Sequence, residues 1–359
     1  MSAPVMTTLE ARGIRATLDH GLGQLAEFAV HLANGWHCPL ARVPWADAPP
    51  DCAEITAAPH LARMSGDFFC APFTASDVEA APLHGWTANS NWTLEARETL
   101  ADGVAATWVL DRDVMGARVR KRWRLRHDDP FLYQEHVFEG GAGQISVAHH
   151  VMVDVQGGAE LTLSPRAHAE TPALAGTMAD AFASALLAYP ARATDLRRFP
   201  LRGGAGTADL LRYPLGERHE DFAMLVDAVP ASAPGAVGWA GVTRPSAGDC
   251  VLVVKSAHVL PQTMLWISHG GRETLPWSGR HAGVLGIEDA CAWSVHGHAA
   301  SCGPNPLADA GVPTCLALGG DLRIHHAIGV LAAPHGPPPA DVLETRARAA
   351  FAIATEPAR

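Results

Sequence analysis

Lysine is almost absent from this chain. Only Lys121 and Lys255 are present, arginine supplies the other basic residues, and an acidic excess leaves a formal net charge of −10. A nucleic-acid scaffold is thereby disfavoured, since such surfaces are basic; the shortage of lysine itself reads as a coding bias. No apolar run approaches the ~20 residues needed to cross a bilayer, so no membrane partner is expected. Met1-Ser2-Ala3-Pro4-Val5-Met6 lacks a basic stretch leading into an apolar one, so a secretory signal is not expected. Seven cysteines (Cys38, Cys52, Cys70, Cys250, Cys291, Cys302 and Cys315) form no Cys-x-x-Cys pair and no clustered Cys/His spacing. Free thiols in a reducing compartment, and hence a cytoplasmic location, are the simplest reading. With 48% hydrophobic and 18% charged residues, the composition is globular and not disordered.

What is present is a chain cut into short pieces by glycine and proline, many of them alternating apolar and polar with period two. That is the mark of half-buried strands. The clearest is 117–126, where Ala117, Val119, Lys121, Trp123 and Leu125 alternate with Arg118, Arg120, Arg122, Arg124 and Arg126. The arginine stripe reads as the solvated face of an antiparallel sheet, with a phosphate-binding or nucleic-acid surface as the alternative. Further strands are expected over 105–111, 131–138, 144–155, 222–228, 236–243, 250–259, 263–268, 283–288, 314–318 and 322–330. Together they predict an all-β sandwich or barrel. Residues 156–220, rich in Ala, Pro, Gly and Arg, read mostly as long loops with a short helix within 177–188. After Pro337-Pro338-Pro339, Asp341 is a candidate N-cap with Glu344 three residues on. A helix over 340–353, apolar at Val342, Leu343, Ala347, Ala350 and Phe351, should dock on the body. No linker divides the chain, and a single domain over 1–359 is expected.

Three polar groups stand in contexts that need explaining. Strand parity over 145–155 sends Ile145, Val147, His149, Val151 and Val153 to one face and Ser146, Ala148, His150, Met152 and Asp154 to the other. The mixed face is the better wall for a cleft, which selects His150, while His149 reads as a core histidine bonded to a backbone carbonyl. Glu288 ends the otherwise apolar Val284-Leu285-Gly286-Ile287. A buried carboxylate needs a partner, water or a chemical task; an ion pair with Arg272 or Arg280 is the structural alternative. Gly286, on the same face, leaves room for a ligand. His84, in Pro82-Leu83-His84-Gly85-Trp86, reads as part of a loop entering a strand. Trp86, Trp92, Trp266, Trp277 and Trp293 cluster around these elements, and flat rings beside polar groups suit a sugar. The pairs His296-x-His298 and His325-His326 lack a third ligand at a telling spacing, so no metal is expected.

In series, these segments resemble the galactose mutarotase-like superfamily, which includes aldose 1-epimerases and hexose-6-phosphate mutarotases. Arg63-Met64-Ser65-Gly66-Asp67-Phe68-Phe69-Cys70-Ala71-Pro72-Phe73 is similar to the family's Arg-Gly-Gly…Cys-x-Pro-x-Phe stretch, and His84-Gly85-Trp86 to its His-Gly-Phe. Ala148-His149-His150-Val151-Met152 resembles the Asn-His-x-Tyr-Phe strand, and Gly286-Ile287-Glu288 the Gly-x-Glu strand. The resemblance spans about residues 15–330 and implies a β-supersandwich of large antiparallel sheets. It implies Glu288 as the base at the anomeric hydroxyl, His150 as the acid at the ring oxygen, and His84 as a sugar-orienting group. No cofactor is implied. With ordinary pKa values of ~4.3 for Glu and ~6.5 for His, both groups would start in usable states at neutral pH.

Arg63, His149, Asp221, Trp266 and His269 are the expected substrate contacts. The family's hexose-6-phosphate branch carries an arginine where this chain has Thr87, which disfavours a phosphorylated substrate. Its aldose branch has an Asp where His219 stands, with Asp221 as the substitute. The expected activity is interconversion of the anomers of a free sugar by a monomer or homodimer. The alternatives are a non-catalytic carbohydrate-binding protein and a hexose-6-phosphate 1-epimerase.

Overall fold

Alternating strands close the chain around one face-to-face pair of large sheets. The structure, a computed structural model, describes residues 4–174, 176–204, 206–228 and 235–356. One sheet has nine strands in the order Arg212–Tyr213, Ala159–Leu163, Val237–Arg244, Asp249–Ser256, Gly320–Ala332, Phe131–Gly140, Ala117–Arg126, Gly103–Leu110 and Trp92–Leu100. The other has eight: Ala191–Ala193, Arg166–Thr171, His219–Asp227, Gln262–His269, Val284–Cys291 and Val147–His149 run to Phe69–Cys70, and Val151–Asp154 pairs with Val284–Cys291. Every pairing between these strands is antiparallel. A four-stranded meander over Met6–His37 adds to the same core. This is the expected β-supersandwich.

Period-two patterning decides what lies between the sheets. Val151, Leu225, Leu265 and Ile287 of the eight-stranded sheet meet Val119, Leu132, Val253 and Ile328 of the nine-stranded one, all fully buried. Each such side chain is worth about 1.5–3 kcal/mol over its exposed state. The outer face of the nine-stranded sheet is covered by the helix Ala340–Ala354, which buries Leu343, Ala347 and Ala350 against Phe131, Trp239 and Leu252. The eight-stranded sheet's outer face carries a second apolar cluster, described below.

Several expectations are corrected. Residues 156–220 hold long loops as expected, but also the strands Ala159–Leu163 and Arg166–Thr171, short segments that carry little β signal of their own. Only Thr177–Ala181 is helical within 177–188. The stretch 314–318 contributes just the short strand Leu316–Ala317. Pro339, not Asp341, occupies the N-cap of the last helix, and Asp341 instead sits in the first turn, where a carboxylate favours the helix dipole. The arginine stripe is a solvated face laced with ion pairs: Arg120 and Arg118 hold Glu95, and Arg124 and Arg126 hold Asp102.

The two lysines are the largest surprise. Both are fully buried between the sheets. Lys255 Nζ donates to Thr263 Oγ1 (2.8 Å) and lies 3.2 Å from Asp227 and 3.4 Å from Asp289. Lys121 Nζ donates to the Gly23 carbonyl and sits 4.7 Å from the Trp92 ring centroid. Burial draws both ammonium groups down to about 7. The bias against lysine in the sequence therefore leaves only positions with a structural task.

Candidate active site

The candidate site grows from two residue doublets on paired strands. The register Ala148↔Ala290 and Val151↔Ile287 sets His150 opposite Glu288 and His149 opposite Asp289. Successive side chains leave a strand on opposite faces. His149 and Asp289 therefore point between the sheets, while His150 and Glu288 point to the outer face with Met152, Met264 and Trp266.

On that face His150 Nε2 and Glu288 Oε1 lie 3.1 Å apart, 5% and 3% exposed respectively. The His150 backbone N–H donates to Asp67 Oδ1 at 3.0 Å, and its ring stacks on Phe68 with centroids 4.5 Å apart. The His84 ring meets His150 edge-on at 5.6 Å. His84 is not in a loop entering a strand: it has left-handed φ 67° and caps the short helix Gly85–Asn89. A Cβ on Gly85 would fall 2.0 Å from the Ala71 carbonyl oxygen, so glycine is required for this close approach. His60 packs against His84 at 5.2 Å and takes its place from Asn89, whose Oδ1 accepts the His60 backbone N–H at 2.9 Å.

Trp266 closes the other side, 5.4 Å from the His150 ring. Its indole N–H donates to Glu220 Oε1 at 2.6 Å, and His281 stacks on it at 5.2 Å. Arg272 Nε lies 3.0 Å from Glu220 Oε1, with its guanidinium 4.5 Å from the Trp277 ring centroid. Trp45 packs edge-on against Trp277 at 5.4 Å, completing an aromatic cover. A surface cleft lined by Arg42, Asp154, Gln156 and Arg280 borders the site at His281.

Burial sets the protonation states. Desolvation raises the Glu288 carboxyl to about 8, with Arg272 opposing, and lowers the His150 imidazole to about 3. The pair is therefore neutral at pH 7, with the proton on Glu288. This reverses the starting states expected from ordinary pKa values, because those assume water around both groups. His84, also dry, is pushed well below its usual value. His84 Nδ1, His150 Nδ1 and His281 Nε2 are buried without hydrogen-bond partners, leaving polar atoms for a polar guest to meet.

Of the expected contacts, the structure brings together His150, Glu288, His84 and Trp266, with Trp277. The others lie elsewhere. His149 faces the sandwich interior, where its Nδ1 bonds Asp67 Oδ2 at 3.0 Å, not a backbone carbonyl, and its ring stacks on His326 at 3.9 Å. Asp221, fully buried, accepts from the Leu186 and Leu187 amides and from His219 Nδ1, so it fixes a turn and does not face a ligand. Arg63 turns to Asp19, at 2.8 Å. His269 sits at a strand end, where it accepts the Gly283 amide. The space beside Gly286 is taken by Trp266, since a Cβ there would lie 3.0 Å from the Trp266 Cβ. Trp86 stacks with Arg112, Trp92 is in the inter-sheet core, and Trp293 packs on His296. Sequence reasoning missed His60, Phe68, Glu220 and His281, which arrive from separate strands and loops; Arg272, expected as an ion-pair partner of Glu288, pairs with Glu220 instead. It also missed the companions of His326: Asp67, His149 and His326 each offer an atom within 4.8 Å of the others. That cluster belongs to a hydrogen-bonded network already balanced by Lys255 and Lys121.

No protein-family model matches the chain, and no curated protein matches it by sequence. Solved structures do match its fold. A candidate aldose 1-epimerase of Escherichia coli K12 superposes with a TM-score of 0.59 at 12% identity, covering 92% of this chain and all of that one (100%). A galactose mutarotase-like protein of Clostridium acetobutylicum gives 0.56 at 12% identity over 91% and 95% of the two chains. Galactose 1-epimerase of Lactobacillus acidophilus NCFM gives 0.54 at 12% over 92% and 100%. The chain thus has the galactose mutarotase-like fold. No helix among the described residues is long and apolar enough to cross a membrane.

Proposed function

We propose that this protein interconverts the α and β anomers of a free sugar by general acid–base chemistry at His150 and Glu288. The observation that carries the reading is the 3.1 Å contact between these two groups, shut inside an aromatic-lined site on this fold. A single proton crosses that contact. On Glu288 it gives the resting neutral pair; on His150 it gives a carboxylate base and an imidazolium acid, with no change in net charge.

A sugar entering between the two side chains replaces the contact they now make with each other. Glu288 takes the proton of the anomeric hydroxyl while His150 gives one to the ring oxygen. The ring opens, the C1–C2 bond rotates, and reclosure returns both protons. His84 orients the sugar through its unbonded ring nitrogen, and Trp266 and Trp277 offer flat faces to its C–H bonds. Entry requires the surrounding side chains to give way, since His150 and Glu288 are both buried.

The test is anomer exchange followed by NMR over a panel of free aldoses and glucose 6-phosphate, with Glu288→Gln beside the native protein. Acceleration that falls by ~10²–10⁴ in the variant is expected, the range for loss of a proton-transfer group. The closed contact, with no gap between acid and base, favours one second reading: a carbohydrate-binding protein without turnover. Sugar-induced shifts that survive in Glu288→Gln, with no exchange in either protein, would select it.

A further inference from the structure

Away from His150 and Glu288, two segments are tied together at neighbouring residues. Thr314 Oγ1 donates to the Ser301 carbonyl at 2.6 Å, and Asn305 Nδ2 donates to Thr314 Oγ1 at 3.0 Å. The residue following each tied position is a cysteine. Cys302 ends the helix His298–Cys302 and Cys315 enters the strand Leu316–Ala317, so the bond between Thr314 and Ser301 brings the two cysteines to neighbouring positions. Both are free and half-buried, so small molecules reach them. The His298 ring lies against the pair, its two nitrogens 3.6 and 3.8 Å from Cys302 Sγ, with Ser146 Oγ 3.3 Å from its Nδ1. Nothing in the proposed sugar chemistry uses this cluster.

We propose that Cys302 and Cys315 form a redox-active dithiol, a modification site that a peroxide closes to a disulfide around residues 303–314. The neighbouring Cys302 draws the Cys315 thiol down from its usual value, which favours its thiolate at neutral pH. That thiolate attacks one peroxide oxygen. The O–O bond breaks, the departing oxygen leaves as water after protonation, and Cys315 becomes a sulfenic acid. Cys302 then attacks the sulfenic sulfur and passes its thiol proton to His298. The S–O bond breaks, hydroxide leaves, and it takes up that proton as a second water. Two thiols have lost two electrons and the peroxide has gained them. A thiol reductant reverses the bond, as expected for a labile disulfide in a reducing compartment.

The test treats the full-length protein with hydrogen peroxide at neutral pH, blocks remaining thiols and maps peptides by mass spectrometry without reduction. Free thiols should fall from the seven of the native chain to five, with one cross-link joining the Cys302 and Cys315 peptides that dithiothreitol removes. In Cys302→Ser, a dimedone-trappable sulfenic acid should persist on Cys315 with no cross-link. In Cys315→Ser, loss of the Cys302 thiol should slow at least tenfold. Exchanging the exposed Cys38 for Ser should leave the cross-linking rate unchanged. Oxidation that proceeds equally at Cys38 and Cys52, or a native protein that keeps all thiols while its thermal unfolding stays intact, would overturn the proposal.

Discussion

Glu288 and Asp289 are adjacent, both buried and both opposite a histidine, yet they are opposites in chemistry. Asp289 faces the sandwich interior, where it accepts from Thr263 Oγ1 at 2.7 Å, lies 3.4 Å from Lys255 Nζ and 3.2 Å from His326 Nε2. Burial alone would raise its carboxyl, but these partners hold it well below the usual range. Glu288 faces the aromatic cover with His150 as its one close partner, and burial wins. The same contrast separates Asp67, which serves His149, Gln134 and the His150 amide, from Glu288. Among these three carboxylates it is the partners, not the depth, that separate the lowered Asp289 and Asp67 from the raised Glu288.

The strongest way to break this comparison is to remove the structural carboxylate. Asp289→Ala leaves Lys255 with Asp227 alone and takes from His326 its carboxylate partner, and should cost about 3–5 kcal/mol in urea unfolding, as loss of one partner of a buried pair does. A loss below 1 kcal/mol would erase the difference between the two residues.

Glu288→Gln should behave otherwise. The amide is neutral, as the protonated carboxyl is, and nearly the same shape, so the change at pH 5 should stay within about 1 kcal/mol. The pH dependence carries the sign. Glu288 is raised from 4.5 to about 8, so its contribution is full below 4.5 and is lost as pH rises through 8. His150 is lowered from 6.5 to about 3, so its contribution is present above 6.5 and is lost as pH falls through 3. Between 4.5 and 6.5 the two slopes cancel. The stability of the native protein relative to Glu288→Gln should fall as pH rises from 4.5 to 8 in denaturation curves taken across the range, since Lys121 and Lys255, drawn down to about 7, contribute alike to both proteins.

Lys121→Met sharpens the comparison on the cationic side. Lys121 has a carbonyl and an aromatic face but no close carboxylate partner, and its replacement by an apolar chain of similar length should change stability by less than about 1.5 kcal/mol. Lys255, paired with two aspartates, should cost several times more when replaced in the same way. The smallest effect belongs to the surface stripe: Arg122→Ala, whose contact with Glu98 is 3.8 Å, should stay within ±0.5 kcal/mol in thermal unfolding.

Much of this was legible in the sequence because strands alternate. Parity alone separated His150 from His149 and placed Glu288 with Gly286, and the same rule laid Lys121 on the inward side of the arginine stripe. The helix at the C-terminal end was legible from its apolar spacing. What alternation could not give was pairing across the fold. Arg272, Glu220, His60 and Asp67 acquire meaning only from strands and loops far away in sequence. The fate of Asp221, set by two amides near residue 186, has no local signature. The same holds for the protonation states, since ordinary pKa values presume a solvent that the aromatic cover removes.

The most direct test of the central contrast is a residue-resolved titration of the Glu288 and Asp289 carboxyls by carbon-13 NMR, assigned with Glu288→Gln. The account predicts that Glu288 is protonated at pH 6 and ionises around pH 8, while Asp289 stays ionised down to acid unfolding. A Glu288 already ionised at pH 6, titrating like an ordinary carboxylate, would contradict it.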